Sequence, residues 1–465
     1  MGTVHAKSSE GNSGMTDHFK TKAEPEKPDL DLSAVPVKVD RIVVDGVDKT
    51  KNDILEKALR PVFAAKTFTE MTVRSHQAQL VLEKLELFKQ INIVIDTSKG
   101  EKASPNGYEV IYQVEERKYP KLNIKTEIGN RATNEPTFVL CMKHYNMFGR
   151  GESLMLQGSR HLDENGGYGL QFSKPLNGNP NVRLGAGAYK GYVEFPWSSF
   201  KEISKGTAVD LVFPTKLGSH CLKWEGVWRD VRALNNATSF VVREQSGHSL
   251  KSSLQHILTR DNRDDKIFPT KGSLLKHTLE YAGIGGNVEF IKNDLELQFN
   301  VPLYFDSVLQ VSLAGGILTK VGQNSDVRIN DKFFLGGPLT LRGFTINGVG
   351  PHADGHALGA DTYWVSGIHL YTPLPFRPGK GGFGELLRSH FFVTAGDIGN
   401  IDTSMTANEN MRKLIENCRL SYGIGVVLKL GGIARLEFNY TVPYLYQTGD
   451  KIDPGYQFGV GMSFL

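Results

Sequence analysis

From residue 119 onward the apolar positions recur every second residue. In RLSYGIGVVLKL, Leu420, Tyr422, Ile424, Val426, Leu428 and Leu430 share one face. After Gly431-Gly432, IARLEFNYTV sets Ala434, Leu436, Phe438, Tyr440 and Val442 on one face, with Arg435, Glu437, Asn439 and Thr441 on the other. NDLELQFNV repeats the pattern, Leu295, Leu297, Phe299 and Val301 opposing Asp294, Glu296, Gln298 and Asn300. A period of two predicts strands with one apolar and one polar face.

A soluble sandwich gives the same alternation, but three features favour a transmembrane barrel. The pattern runs through residues 119–465, too far for one typical sandwich. Aromatic residues gather near strand ends, as in NYTVPYLY, where an interfacial girdle belongs. The chain stops inside a strand, GYQFGVGMSFL, which can pair with the first strand and remove an edge. At about 20 to 23 residues per strand and connection, this predicts roughly 15 to 17 strands.

Residues 41–118 read differently. RIVVDGV is a short strand. TKNDILEKALRPVFAA is helical, with Ile54, Ala58 and Val62 on one face. MTVRSHQAQLVLEKLELF is a second helix with Leu80, Val81, Leu85 and Phe88 in its stripe. KQINIVID, with Ile91, Ile93 and Ile95 on one face, and YEVIYQVEER are strands. The order β-α-α-β-β suits a small sheet covered by two helices. From residue 119 no helical period is visible.

Net charge is +4, from 54 basic and 50 acidic residues, so there is no concentrated basic footprint for nucleic acid. Cys141, Cys221 and Cys418 are scattered and make neither a disulfide framework nor a CxxC pair. No apolar run approaches the ~18 residues of a membrane-spanning helix. Residues 1–40, with seven acids, five lysines and no arginine, read as a disordered polar tail and not as a transit or secretory signal. Ala6 stands where a myristoylation motif needs Ser or Thr.

Catalytic templates fail. GKGGFG at 379–384 formally fits GxGxxG but opens no helix, and His352 and His356 lie in a glycine-rich loop. RDNRDD at 260–265 reads as a solvated turn. No GxSxG, HExxH or Walker loop is present, so the expectation is a non-enzyme without cofactor or metal.

One stretch resists these readings: FFLGGPLTLRGF, 333–344, is too broken for a strand and too apolar for an ordinary loop. With NMFGRGE (146–152), RDNRDDKIFPTKG (260–272) and the β-α-α-β-β module, it carries a resemblance. The chain resembles the outer-membrane barrel-assembly superfamily, in which soluble polypeptide-transport-associated (POTRA) domains precede a sixteen-stranded barrel. LRGF (Leu341, Arg342, Gly343, Phe344) looks like the tip motif of that family's sixth extracellular-type loop. With one module and no secretory signal, the chain is most similar to the branch in the mitochondrial sorting and assembly machinery.

The resemblance implies an all-β transmembrane barrel of about 16 antiparallel strands with one N-terminal α+β POTRA domain. The tail is 1–40, the POTRA domain 41–118 and the barrel 119–465. It implies a mitochondrial outer-membrane barrel with POTRA in the intermembrane space, inserting β-barrel precursors such as porins and the import pore without nucleotide. Implied partners are those precursors, membrane lipid, accessory subunits of the sorting and assembly complex and an inner-membrane cristae-organising complex. The loop is expected to fold into the lumen, with Arg342 clamping a carboxylate, Gly343 allowing close approach and Phe344 packing the tip. Related bacterial chains place acids where His369 and Thr394 stand here, which leaves Asp361, Asp397 and Glu437 as candidate partners.

The implied lateral gate joins the first strand, with Leu122, Asn123, Ile124, Lys125, Thr126, Glu127 and Ile128, to the last, with Gln457, Gly459, Gly461, Met462 and Phe464. Glycines weaken the last strand. Opening exposes unpaired backbone groups that an incoming strand can satisfy. The segment 457–464 also resembles the mitochondrial sorting signal, polar-x-Gly-x-x-apolar-x-apolar. A passive channel, a protein-translocating relative and a scaffold between the two membranes are the rival readings.

Overall fold

Residues 35–99, 103–127, 137–160, 166–322, 327–374, 386–402, 404–431 and 434–461 are described in the computed structural model. Most of the tail, the 379–384 turn, Ile128, Met462 and Phe464 lie outside the described residues.

The N-terminal module runs β1 (Lys38–Asp45), α1 (Asn52–Leu59), a 3-10 turn (Arg60–Ala64), α2 (Phe68–Lys84), β2 (Phe88–Thr97) and β3 (Gly107–Glu116). β3 is central, parallel to β1 and antiparallel to β2. The order agrees with the pattern, but β1 begins at Lys38, not Arg41. Val37 N donates to Lys66 O and Lys38 N to Asn106 O, drawing residues of the supposed tail into the module. α1 gives way to a 3-10 turn at Pro61, which has no N–H to continue the helix. Ile54, Ala58 and Val62 are buried as expected, but Leu80 is exposed. α2 instead buries Met71, Ser75, Ala78 and Leu82. The buried residues recur at steps of four and three and continue to Leu85, whereas Leu80 lies about 200° round the helix from Ala78 and Leu82 and so faces outward.

Sixteen strands follow in one sheet. They are β4 (Lys121–Glu127), β5 (Thr137–Tyr145), β6 (Ser153–Arg160), β7 (Gly166–Pro175), β8 (Arg183–Phe195), β9 (Phe200–Pro214), β10 (Ser219–Ala233), β11 (Gly247–Asp261), β12 (Gly272–Gly286), β13 (Phe290–Pro302) and β14 (Val308–Lys320). After the two-residue strands β15 (His352–Ala353) and β16 (His356–Ala357), which pair apart from the sheet, come β17 (Thr362–Pro373), β18 (Leu387–Gly399), β19 (Arg419–Leu430), β20 (Ala434–Leu445) and β21 (Gly455–Gly461). Every pairing in this barrel-like sheet is antiparallel between chain neighbours, with β14 joining β17 across the long connection. Its order starts at β4 and ends at β21.

The two faces are inverted relative to a soluble protein. On β20 the polar row Arg435, Glu437, Asn439 and Thr441 is buried, while Phe438 and Tyr440 are exposed. On β21 Gln457 is buried and Tyr456 and Phe458 are exposed. A sheet curled so that its polar face is enclosed and its apolar face is outward suits lipid outside. Among the described residues no helix is long and apolar enough to cross a membrane.

Among the described residues, α3 (Phe240–Glu244) and α4 (Ala407–Glu416) interrupt the strand pattern. The second corrects the expectation of no helix beyond 119. Thr406 and Glu409 form a capping box, a signal present in the sequence as Thr-x-x-Glu.

Candidate functional site

The broken stretch 333–344 lies inside the barrel. Phe333, Leu335, Leu341, Phe344 and Val349 form a buried cluster with Phe290, Leu318, Val365 and Ile398 of the wall. Turns within the loop hold its backbone, with Gly337 N donating to Leu341 O and Val349 N to Leu335 O. Apolar composition therefore reports burial of a loop, not of a strand.

Arg342 is fully buried at the tip. Its Nε and Nη2 donate to one oxygen, Glu437 Oε2, at 3.1 and 2.8 Å. Arg435 Nη2 lies 2.7 Å from the other oxygen, Oε1. One carboxylate is thus shared by two guanidiniums. The Arg342 guanidinium also stands 5.1 Å from the Phe392 ring centroid. Glu437 is the partner among the three candidates. Asp397 pairs with Arg419, and Asp361 lies 4.0 Å from Lys332. The two positions matched to acids elsewhere are buried and carry no carboxylate. Thr394 Oγ1 is 2.8 Å from Ser421 Oγ, and His369 Nδ1 is 3.0 Å from His390 Nε2. His390 Nδ1 meets Asn439 Oδ1 at 2.9 Å, and Asn439 Nδ2 donates to Glu437 Oε2 at 3.0 Å. The histidines therefore support the carboxylate from behind, a role that no sequence motif announced.

Gly343 has φ +84°, a region costly for other residues, and an added Cβ would stand 3.2 Å from Ser421 Cβ. Its N–H donates to Gln457 Oε1 at 2.9 Å, and Gln457 Nε2 donates to Phe344 O at 3.1 Å. One carboxamide on the last strand thus satisfies one backbone donor and one backbone acceptor of the motif. Asp453 N donates to Gly343 O at 2.8 Å. The motif is thus bonded to β20 and β21, the two strands at the C-terminal end of the sheet.

A second anchor holds the same loop at β10 to β13, in the middle of the sheet order. Asp331 takes a two-point bond from Arg229 on β10, at 2.8 and 2.9 Å, and both side chains are buried. Lys251 stands 3.6 Å from Asp331 and 3.0 Å from Glu280, and Lys292 Nζ donates to Asp331 O at 2.6 Å. Sequence reasoning missed this site, since nothing marks Asp331 among its charged neighbours.

The expected gate strands occupy the two ends of the sheet. On β4, Leu122 and Ile124 are 61% and 76% exposed. Asn123 is partly buried, as alternation requires, while the side chains of Lys125, Thr126 and Glu127 lie outside the described residues. Gly459 pairs with Glu437 and Gly461 with Arg435. Among the described residues no ladder joins β4 to β21.

The other two motifs are structural. In NMFGRGE, Asn146 Nδ2 donates to Thr50 Oγ1 at 2.9 Å, and Lys51 N donates to Gly149 O at 2.8 Å, tying the module to the first turn beneath the barrel. Glu116 accepts from Lys49 N, Thr50 N and Thr50 Oγ1. Burial pushes this carboxyl up, but the Thr50 hydroxyl and the Lys49 and Thr50 N–H groups outweigh it and hold it below its ordinary 4.5. In RDNRDDKIFPTKG the charged run 260–265 is exposed or partly exposed, as expected of a solvated turn, and is also bonded in place. Arg263 forks onto Asp261 at 2.9 Å twice, Asp265 pairs with Lys429, and Ile267 and Phe268 are buried. Local acid–base pairs and two apolar residues turn a charged run into a packed connection.

Residues 146–464 match the family description Omp85 superfamily domain. The chain is 45% identical to the sorting and assembly machinery component 50 homolog of Homo sapiens, with both chains covered in full. It is 34% identical to a SAM50-like protein of Drosophila melanogaster over 94% of this chain and 96% of that one. Among solved structures, BamA from Haemophilus ducreyi lacking POTRA domains 1–3 is similar with a TM-score of 0.73 at 19% identity. That match covers 91% of this chain and 84% of the other, and shows a shared fold.

Proposed function

The chain belongs to the Omp85 superfamily, and on that premise we propose that it inserts and folds β-barrel precursors into the mitochondrial outer membrane. The path is a lateral gate between β4 and β21, and no nucleotide is consumed. The barrel lies in the outer membrane, and the module ending at Glu116 is a POTRA domain in the intermembrane space that receives clients. The protein is not an enzyme. Its partners are unfolded precursors of porin and import-pore type, lipid, accessory subunits of a sorting and assembly complex and, through its module, an inner-membrane cristae-organising complex.

The observation that carries this reading is where the lumen loop is bonded. Arg342 holds Glu437 on β20, and Gly343–Phe344 hold Gln457 on β21. A passive pore needs no loop clamped to the strands beside its seam. An assembly machine needs such control, because a freed strand edge offers unpaired N–H and C=O groups, each costing several kcal/mol near lipid. A client strand can take them up by β-augmentation. Lipid burial of the finished client then makes release favourable.

Single cysteines at Asn123, Lys125 and Glu127, with Cys141, Cys221 and Cys418 replaced, test the gate. A precursor arrested with one cysteine in its last strand forms disulfides at one alternating set of positions. The set shifts by two when the client cysteine shifts by two, because a one-residue slip reverses every side chain. Uniform crosslinking to lumen sites all round the barrel overturns the gate. Normal assembly of newly imported porin after depletion of the protein overturns the assembly role itself.

A further inference from the structure

The connection from β18 to β19 carries α4 on the rim opposite the N-terminal module. Its placement follows from two contacts. Trp364 Nε1 donates to Leu414 O at 3.2 Å. Leu414 also lies over Gly399, where an added Cβ would stand 3.6 Å from its Cδ2. Trp364 shares a strand face with Ile368, and Gly399 shares one with Phe391 and Val393, all three of which are exposed. The inward neighbours Val365, His369 and Phe392 are buried. α4 therefore packs at the rim over the ends of β17 and β18, where Asn410, Lys413 and Leu414 also line a cavity with Gly350 and Pro351 of the lumen loop.

The helix has three distinct flanks. Asn410 and Leu414 face the barrel, and Asn410 Nδ2 donates to Asp402 O at 2.9 Å. Met411 and Ile415, about 100° further round, are 59% and 60% exposed. Glu409, Arg412, Lys413 and Glu416 fill the remaining arc, with Arg412 Nε donating to Glu416 Oε1 at 2.7 Å. The capping box at Thr406 and Glu409 secures the first turn. The helix also sits at an aromatic level: Trp364 lies near its strand end, and Tyr444 and Tyr446 are exposed at the same rim. Aromatic side chains mark the boundary between acyl chains and headgroups.

We propose that α4 is an in-plane membrane anchor, with Met411 and Ile415 inserted at the headgroup–acyl boundary and the charged arc turned to headgroups and water. The occupant is lipid because the helix is seated on Trp364, which shares the outward strand face of the exposed Ile368, and because its exposed apolar flank and its charged flank are separate, as on a helix lying in a bilayer surface. The inference rests on the membrane-barrel reading. It gives the connection beside the last strands a fixed seat in the bilayer surface.

The test uses the full chain in phospholipid nanodiscs, with native cysteines replaced and one cysteine carrying an environment-sensitive fluorophore. The positions are Met411→Cys, Ile415→Cys, Arg412→Cys, Ile368→Cys and Phe391→Cys. Labels at 411 and 415 should be blue-shifted and quenched several-fold more strongly than the label at 412 by lipids with a shallow spin label. Labels at 368 and 391 should respond to a deep spin label. If 411 and 415 behave like 412 while 368 and 391 report lipid, the anchor is wrong and the barrel reading stands. If 368 and 391 also report water, the membrane-barrel reading fails and the anchor falls with it. If 411 and 415 become shielded only when other proteins of the complex are added, a protein is the occupant and the lipid inference is overturned.

Discussion

Glu437 should be a costlier residue to remove than Arg342, although the two form one ion pair. In Arg342→Ala the carboxylate keeps Arg435 at 2.7 Å and Asn439 Nδ2 at 3.0 Å, so no uncompensated buried charge remains. Breaking a buried pair costs about 3–5 kcal/mol when the survivor is stranded. With the survivor still paired, the loss should be about 2–3 kcal/mol, much of it from the desolvated contact with Phe392. Glu437→Ala instead removes the carboxylate that two buried guanidiniums share, and the loss should reach about 5 kcal/mol or more. In the double variant only Arg435 has lost a charged partner, Glu437. Its stability should be no lower than that of Glu437→Ala alone, a coupling of about 2–3 kcal/mol. Urea unfolding of the purified chain in lipid vesicles measures all four members of the cycle. Hydrogen exchange of residues 333–349 reports whether the loop leaves the wall before the barrel opens. Equal losses for the two single variants, or strictly additive losses in the double variant, would refute the shared-carboxylate account. Client assembly should fall in Arg342→Ala while membrane insertion persists, and normal porin assembly with that variant as sole copy would remove the functional role of the motif.

Asp331→Asn leaves Arg229 and Lys251 without their shared carboxylate, so exchange of residues 327–335 should rise with a local loss of about 3 kcal/mol, while unchanged exchange would mean that apolar packing alone holds the loop. Gln457→Glu keeps an acceptor for Gly343 N but loses the donor to Phe344 O, and should loosen 343–345 by about 1–3 kcal/mol, more than Gln457→Asn if the donor is what matters. Gly149 has φ +85° and an added Cβ would stand 2.3 Å from Lys49 O, so Gly149→Ala should undock the module, read as a change in the distance between spin labels on module and barrel. The Glu116 carboxyl is held below its ordinary 4.5 in the folded state, so it contributes stability above that pH. The contribution is lost as pH falls through the lower folded value. Docking followed by the same labels should weaken in that acid range, and Glu116→Gln should abolish the dependence.

The period of two determined the strands and which residues of each strand share a face, because side-chain alternation is a local property of extended backbone, whereas which face turns outward was decided by the closure of the sheet around its polar rows. The β-α-α-β-β order and the buried row Ile54, Ala58 and Val62 were legible for the same reason. Turn chemistry was legible at Thr406 and Glu409, where a capping box stands in the sequence, although the surrounding alternation drew attention away from it. The Arg342 motif marked one end of an ion pair, but its partner depended on which strand the loop reaches after crossing the lumen. Asp361, Asp397 and Glu437 are equivalent as isolated carboxylates. Tertiary folding separated them, by giving Asp397 to Arg419, setting Asp361 near Lys332 and leaving Glu437 between two arginines. The Asp331 anchor joins residues 102 positions apart, and the Gln457 clasp joins residues 114 apart. No local spacing encodes such contacts, because they exist only once the sheet has curled and brought its interior row around the loop.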